Sequence, residues 1–215
     1  MVLAIYGAGG AGREAKEIAE IINQWEELVF IDDTEECCIY KNIKKLPFDQ
    51  FEQIYSPQNT EIIIALGEPQ YKKMLYDKVV AKGYALANVI HPAAIINKSA
   101  TLGHGLLIKA GAIVSSDAVV EDNVSIEEYA VVGHDTIVRK HSQLSTFSVI
   151  AGHCEIGEST YIALSVPVKE MTRIGSNVVV GMGSVVVRDI PDDVIAMGNP
   201  ARAIKRSDGK KVFGK

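Results

Sequence analysis

The sequence predicts an α/β unit followed by a β-helix, a coil of short parallel strands. From residue 96 to residue 186, every sixth residue is Ile, Leu or Val. Before this repeat, an apolar run at residues 2–6 leads into a glycine-rich turn and then into apolar residues at helical spacing. A six-residue period fits neither a 3.6-residue helix nor a two-residue strand alternation, but it fits a coil whose corners recur every six residues.

The α/β unit is predicted to begin with a strand at residues 2–6 that ends in the glycine-rich loop 7–12. A helix follows, because apolar residues recur there at helical spacing. A second strand at residues 28–31 ends in Asp32 and Asp33. This order is that of a Rossmann-like unit, in which the loop and the helix N-terminus can hold a phosphate and an acidic residue can meet a ribose hydroxyl.

The glycine loop is open to more than one interpretation. Gly7, Gly9 and Gly12 satisfy the dinucleotide-binding fingerprint. The residues before the repeat leave room for only one mononucleotide half, which argues against NAD. A tight strand-to-helix turn without any ligand stays an alternative to a nucleotide site.

Three further elements complete the α/β unit. Apolar residues at 48–55 predict a short amphipathic turn, and residues 61–66 predict a buried strand. A helix is predicted to open at Pro69, since proline is tolerated in a first helical turn. The predicted domains are a Rossmann-like unit of residues 1–90, a β-helix of residues 91–205 and a tail of residues 206–215.

The repeat also predicts the shape of the coil. Each aliphatic residue points inward beside a small residue two positions earlier. If three hexads close one coil, residues 18 apart lie above one another. Glycines directly after inward aliphatic residues, such as Gly133, are expected where a corner needs a permissive φ.

Composition argues against several classes of protein. The net charge of −5 disfavours nucleic acid as a partner, and no segment has the uncharged length of a membrane span. The apolar N-terminal run leads into a glycine loop rather than a signal-peptide cleavage site. Cys37, Cys38 and Cys154 form no metal or disulfide framework, which is typical of a reducing compartment. A cytoplasmic protein is expected.

His134 is the candidate catalytic residue. It lies at a corner and precedes Asp135. A coil of three hexads stacks it next to Gly152, which leaves a groove beside the imidazole, and stacks His153 on Asp135. An imidazole beside a carboxylate suits a general base, because the acid stabilises the imidazolium as it forms.

The other histidines allow a second interpretation. His104 and His141 are expected to be solvated. His134, His141 and His153 form an alternative metal set, since γ-type carbonic anhydrases share a β-helix and bind zinc through histidines across a subunit interface. Asp135 and the nucleotide-like first unit argue against this metal set, and no metal is expected.

Five short motifs follow one another along residues 2–205. They are Tyr-Gly-Ala-Gly-Gly at 6–10, Ile-Asp-Asp at 31–33, Ile-His-Pro at 90–92, Gly-His-Asp at 133–135 and Gly-Asn-Pro-Ala at 198–201. Together they resemble the PglD/NeuD-like sugar acetyltransferases, whose hexapeptide repeats form a left-handed parallel β-helix. The resemblance implies a homotrimer that binds acetyl-CoA between its subunits and a UDP-sugar in the first unit.

The resemblance also implies roles for individual residues. His134 corresponds to the catalytic base and Asp135 to the acid that raises its basicity. The substrate-binding positions are Gly9, Gly10, Ala11, Asp32, Asp33 and Gly67. The acetyl-CoA-binding positions are Gln143, Gly152, Leu164 and Met182. Ala11 and Gln143 depart from the family, because relatives often carry histidine at these two positions.

The implied reaction is transfer of an acetyl group from acetyl-CoA to the amino group of a nucleotide-linked, UDP-type amino-deoxy sugar. Two alternatives stay open. One is O-acetylation of a sialic acid or of a capsular or surface sugar. The other is a catalytically silent scaffold that binds sugar nucleotides.

Overall fold

The computed structural model describes residues 1–34, 37–207 and 212. The elements of the first part are β1 (Val2–Tyr6), α1 (Gly10–Ile22), β2 (Glu27–Ile31), β3 (Cys38–Tyr40), β4 (Ile43–Leu46), α2 (Phe48–Ile54), β5 (Thr60–Ile64), α3 (Pro69–Ala81) and β6 (Ala85–Leu86). They form one sheet of order β3-β4-β2-β1-β5-β6. Only β3 in this sheet runs antiparallel to its neighbour. The described part thus contains the predicted Rossmann-like unit.

Local sequence explains these elements. The apolar face of α1 buries Ala15, Ile18 and Ala19 against the sheet. Gly12 is required there, because a Cβ at this position would overlap the carbonyl oxygen of Gly7. The amphipathic turn predicted at residues 48–55 is a helix, α2, and it packs its buried Phe residues into the opposite face of the sheet.

The second part consists of short strands. They are β7 (Val89–Ile90), β8 (Ile95–Ile96), β9 (Thr101–Leu102), β10 (Leu107–Ile108), β11 (Ile113–Val114), β12 (Val119–Val120), β13 (Ser125–Ile126), β14 (Val131–Val132), β15 (Ile137–Val138), β16 (Gln143–Leu144), β17 (Val149–Ile150), β18 (Glu155–Ile156), β19 (Tyr161–Ile162), β20 (Pro167–Val168), β21 (Arg173–Ile174), β22 (Val179–Val180), β23 (Val194–Gly198) and β24 (Ala201–Arg206).

These strands form three sheets of a left-handed β-helix. Sheet I has the order β24-β23-β22-β19-β16-β13-β10-β7, sheet II is β20-β17-β14-β11-β8, and sheet III is β21-β18-β15-β12-β9. Within the prism, a strand pairs with the third strand after it in the chain, as in Val114 opposite Val132, so three hexads close one coil as predicted. The inward aliphatic residues from 108 to 186 are buried in one continuous core, and Ile96 and Leu102 pack against it partly buried.

The role expected for the corner glycines was wrong. Gly133 does not have a left-handed φ, whereas Asp117, Asp135 and His153, each three residues after an inward aliphatic residue, do. A Cβ on Gly133 would lie 2.6 Å from the carbonyl carbon of Ala151 in the next coil. Glycine is therefore needed for close approach of two coils rather than for its φ.

The two parts are joined by apolar packing of Val89 and Leu107 into the core of the first part, and by polar contacts between α3 and the outer face of sheet I. The side chain of Lys72 is fully buried, and its Nζ donates a hydrogen bond of 2.7 Å to the Oγ of Ser125. Asn123 Nδ2 donates to the carbonyl oxygen of Lys72 at 3.0 Å. On the α1 side, Lys109 Nζ is paired with Glu14 and Glu127.

His141 belongs to this join, so the expectation that it is solvated was wrong. It is only 3% exposed, and its Nδ1 lies 2.9 Å from Nδ2 of Asn123. Its ring meets that of Tyr76 edge-on, with the two centroids 4.9 Å apart. Burial lowers the pKa of His141 to about 4, so the ring is neutral and Nδ1 accepts the proton of Asn123. His104 is exposed, as expected.

The C-terminal residues are described in part. Arg206 closes β24, and Ser207 is buried. Within the predicted tail, residues 208–211 and 213–215 lie outside the described residues, while the backbone N–H of Val212 donates to Glu68 at 2.7 Å. The division at residue 90 stays a prediction. In the described chain, no helix has both the length and the apolar character needed to cross a membrane.

We expect Lys72 to make stability depend on pH. Burial lowers its pKa to about 7, so from about pH 7 to 10 the unfolded chain binds this proton and the folded chain does not. Stability should therefore rise by about 2 kcal/mol between pH 7.5 and pH 9 in urea unfolding, at about 1.4 kcal/mol per unit. Lys72→Met should lose this rise, whereas Lys73→Met, at an exposed neighbouring lysine, should keep it. An equal slope in Lys72→Met would contradict the assignment.

Candidate active site

The corner between sheets II and III carries the predicted catalytic pair. His134 Nδ1 lies 2.8 Å from Oδ2 of Asp135, and both side chains are about half exposed. Asp135 has a left-handed φ of 55°, which an aspartate tolerates better than a bulky residue. The carboxylate can accept the proton of Nδ1, which leaves the lone pair of Nε2 available as a base.

Gly152 faces this free nitrogen. It lies on the coil that follows the coil of His134, and a Cβ placed there would lie 2.5 Å from His134 Nε2. The missing side chain thus leaves the groove that the sequence predicted beside the imidazole. A reacting group can approach Nε2 through it.

His153 lies on the same corner. Its backbone N–H donates to the carbonyl of His134 at 2.9 Å, and its Nε2 lies 3.8 Å from Oδ2 of Asp135. The two imidazoles are perpendicular, with centroids 4.9 Å apart. His141 lies on another corner, so one chain does not assemble the set of His134, His141 and His153.

The other predicted acetyl-CoA positions lie elsewhere on the chain. Leu164 and Met182 lie at the corner between sheets I and II and are 43% and 71% exposed. Gln143 lies on sheet I, where it is buried and donates to Oε1 of Glu127 at 3.4 Å. Within one chain, therefore, only Gly152 of the four lies beside His134.

Three of the six predicted substrate positions line a cleft at the carboxyl ends of β1 and β2. The cleft has a volume of about 310 Å³. It is lined by Tyr6, Gly7, Ala8, Gly9, Ile31, Asp32, Asp33, Thr34, Leu66 and Leu75. Gly9, Asp32 and Asp33 are thus brought together. Gly10 and Ala11 lie in the first turn of α1, and Gly67 follows β5, outside this lining.

Asp32 holds the glycine loop in place by a hydrogen bond. Its Oδ2 accepts the backbone N–H of Ala8 at 3.1 Å, and its Oδ1 accepts the N–H of Thr34 at 3.0 Å. Burial raises the pKa of Asp32, but these hydrogen bonds outweigh burial and hold the pKa below its ordinary value. The carboxylate is therefore charged and fixed at the mouth of the cleft.

Asp33 is held by two residues that the sequence did not single out, Tyr6 and Lys78. Tyr6 donates a 2.5 Å hydrogen bond to Oδ2 of Asp33, and Lys78 Nζ lies 3.0 Å from the tyrosine oxygen. Burial and the neighbouring carboxylate raise the pKa of Tyr6, so its hydroxyl stays a donor. Lys78 could have been found from helical spacing, since it lies three residues beyond Leu75, which lines the cleft.

Comparison with known proteins agrees with this geometry. Residues 2–79 match the family described as the PglD N-terminal domain. The chain is 31% identical to the acetyltransferase domain of PglB from Neisseria gonorrhoeae, over 94% of this chain and 99% of that chain, with a TM-score of 0.90. This chain belongs to the PglD/NeuD-like sugar acetyltransferases.

The chain is also similar to a protein solved with ligands and to a curated protein that its sequence matches. PerB from Caulobacter crescentus, solved with CoA and GDP-perosamine, is 28% identical over 95% of this chain and 97% of that chain, with a TM-score of 0.86. An acyl-[acyl-carrier-protein]–UDP-N-acetylglucosamine O-acyltransferase from Burkholderia lata is 41% identical over 73 residues, which cover 34% of this chain and 28% of that protein. The chain thus spans less than a third of the curated relatives that it matches.

Gly152→Ala should break the pair of His134 and Asp135. The added methyl group would displace the imidazole, so we expect the distance from His134 Nδ1 to Asp135 Oδ2 to exceed 3.5 Å in a crystal structure. In urea unfolding, the same change in a His134→Ala chain should be neutral or stabilising by about 0.5 kcal/mol, because alanine restricts the unfolded chain. Strictly additive effects of the two changes would show that Gly152 and His134 do not interact.

Proposed function

We propose that this protein transfers the acetyl group of acetyl-CoA to the amino group of a nucleotide-linked amino-deoxy sugar. The observation that carries the proposal is His134, whose Nδ1 meets Asp135 at 2.8 Å while its Nε2 faces the gap left by Gly152. The acetyl-CoA complex of the PglB domain from N. gonorrhoeae supports the donor. The complex of PerB with GDP-perosamine supports the class of acceptor.

The chemistry needs one proton acceptor. His134 Nε2 takes a proton from the sugar amine as its nitrogen attacks the thioester carbonyl, and Asp135 stabilises the imidazolium. Backbone N–H groups near Gly152 can stabilise the oxyanion of the tetrahedral intermediate. The carbon–sulfur bond then breaks, and the CoA sulfur takes the proton from His134. No acyl-enzyme is required, because CoA already supplies an activated acyl group.

The nucleotide would bind in the cleft of the first part. The glycine loop at residues 7–12 and the N-terminus of α1 suit the diphosphate, since unpaired N–H groups point to this end. Asp32 and Asp33 lie at the opposite lip, where carboxylates can accept ribose or base hydrogen bonds. We propose uridine as the base, with guanosine as the alternative that PerB suggests.

His134→Ala should lower kcat by a factor of about 10² to 10⁴, because a general base contributes this much. The measurement is thiol release from acetyl-CoA with UDP-, GDP- and dTDP-linked amino sugars as acceptors. His104→Ala, which replaces an exposed histidine on another corner, should keep full activity. Asp135→Asn should also lower kcat, since it removes the charge beside the imidazole. An unchanged kcat in His134→Ala would overturn the catalytic role.

A panel of hydroxyl sugars separates the second candidate function, O-acetylation. The match to an O-acyltransferase from B. lata is the observation that favours it. If thiol is released with hydroxyl acceptors and not with amino acceptors, the reaction is O-acetylation and not N-acetylation. If the protein binds a UDP-sugar but no acceptor causes release of thiol from acetyl-CoA, the protein is a non-catalytic scaffold.

We also propose that the protein is a homotrimer with its active sites between subunits. The outer face of sheet II is apolar and is formed by Ile95, Ile113, Val131, Val149 and Pro167. Sheet I is covered by the first part, and sheet III carries charged pairs such as Arg139 with Glu155. An apolar face of this kind marks an interaction site. His134 and Met182 flank this face on opposite corners, so neighbouring copies could bring them together.

Val149→Asp should dissociate the trimer, because it places a charge within the apolar face. Sedimentation velocity should show a shift from a mass near three chains towards one chain, with loss of activity. Val119→Asp makes the same change on the outer face of sheet III and should leave the assembly intact. A wild-type chain that sediments as a monomer would contradict the proposal.

A further inference from the structure

We propose that His134, Asp135 and His153 form a binding site for a divalent transition-metal ion, zinc above all, that inhibits the enzyme. One ligand atom from each of the three residues lies within 4.8 Å of the other two. The inhibition rests on the proposed role of His134, whereas the metal binding does not.

The spacing suits zinc. Tetrahedral zinc with bonds of about 2.1 Å places its ligands about 3.4 Å apart. His134 Nδ1 and His153 Nε2 lie 2.8 Å and 3.8 Å from the same oxygen of Asp135, on either side of this value. Rotation of side chains that are about half exposed can equalise the two distances. Two imidazoles and one carboxylate form a ligand set that zinc uses, with a fourth position left for water.

The backbone holds the three residues in register. Asp135 and His153 occupy equivalent left-handed corner positions on successive coils, and the N–H of His153 bonds the carbonyl of His134 at 2.9 Å. Asp117 occupies the same left-handed corner position on the coil below and adds negative charge there. The backbone of the site is therefore fixed, and zinc binding needs side-chain rotation but no loop movement.

Zinc at this site would block the base through its tautomer. In the free protein, Asp135 can accept a proton from Nδ1 of His134, and this tautomer leaves the lone pair on Nε2. A neutral imidazole that binds zinc through Nδ1 must carry its proton on Nε2. Nε2 can then no longer accept a proton from the amine. The metal would also coordinate the carboxylate of Asp135, which would then no longer stabilise the imidazolium.

The binding test is competition for zinc with a chromogenic chelator, without acetyl-CoA or sugar. It uses chains with Cys37→Ser and Cys38→Ser, because these exposed thiols would bind zinc themselves. One zinc per chain should compete with the chelator in this background and in the matched control His104→Asn. His153→Asn and Asp135→Asn should each weaken that zinc by at least about tenfold. Equal zinc binding in all four chains would overturn the site.

The inhibition test measures acetylated product by chromatography, because released thiol would itself bind zinc. Zinc should inhibit the background chain reversibly, with recovery on adding EDTA. Its half-inhibitory concentration should rise at least about tenfold in His153→Asn, each chain being compared with its own zinc-free rate. Equal sensitivity in both chains would overturn the inhibition. Zinc binding in a chain that acetylates no acceptor would contradict the proposed function but would still support the metal site.

Discussion

The hydrogen bonds between successive coils of the β-helix determine where every functional group of the β-helix lies. Each coil takes three hexads, so residues far apart in sequence become neighbours with little freedom to move. Gly133 N–H bonds the carbonyl of Ile150 at 2.8 Å, and this contact places Gly152 beside His134. The candidate site is therefore a property of the coil register, and its residues sit on a rigid backbone rather than on a mobile loop.

The join between the two parts is polar on the side of α3, whereas on the side of α1 Val89 and Leu107 extend the apolar core of the first part. Lys72 is buried between α3 and sheet I, where Ser125 holds its amine and Asn123 holds its carbonyl oxygen. Buried groups of this kind cost free energy unless they are paired, so a slipped or rotated α3 would be penalised. The join thus favours one placement of the nucleotide cleft relative to the coils.

Much of this arrangement was predictable, because the pattern that encodes it is local and strictly periodic. Inward aliphatic residues such as Val132 and Ile150 set the coil, and the coil alone predicted that Gly152 and His153 lie beside His134 and Asp135. The burial of His141 and Lys72 was not predictable in this way. Both residues occupy positions that are exposed in an isolated coil or helix, and only the docking of the two parts buries them. Tyr6 and Lys78 were missed for a similar reason, since they lie on β1 and α3 and meet Asp33 only when the sheet and α3 have assembled.

The register of three hexads per coil restricts how the chain can change in length. A single residue inserted within a strand of the prism and not looped out would turn the inward side chains of that strand outward, whereas a complete extra turn of three hexads preserves all pairings. Such an addition beyond β21 would raise the prism by about 4.8 Å and leave the environment of His134 untouched. Evolution of these proteins can thus vary the height of the prism in whole steps while the reaction chemistry stays in place.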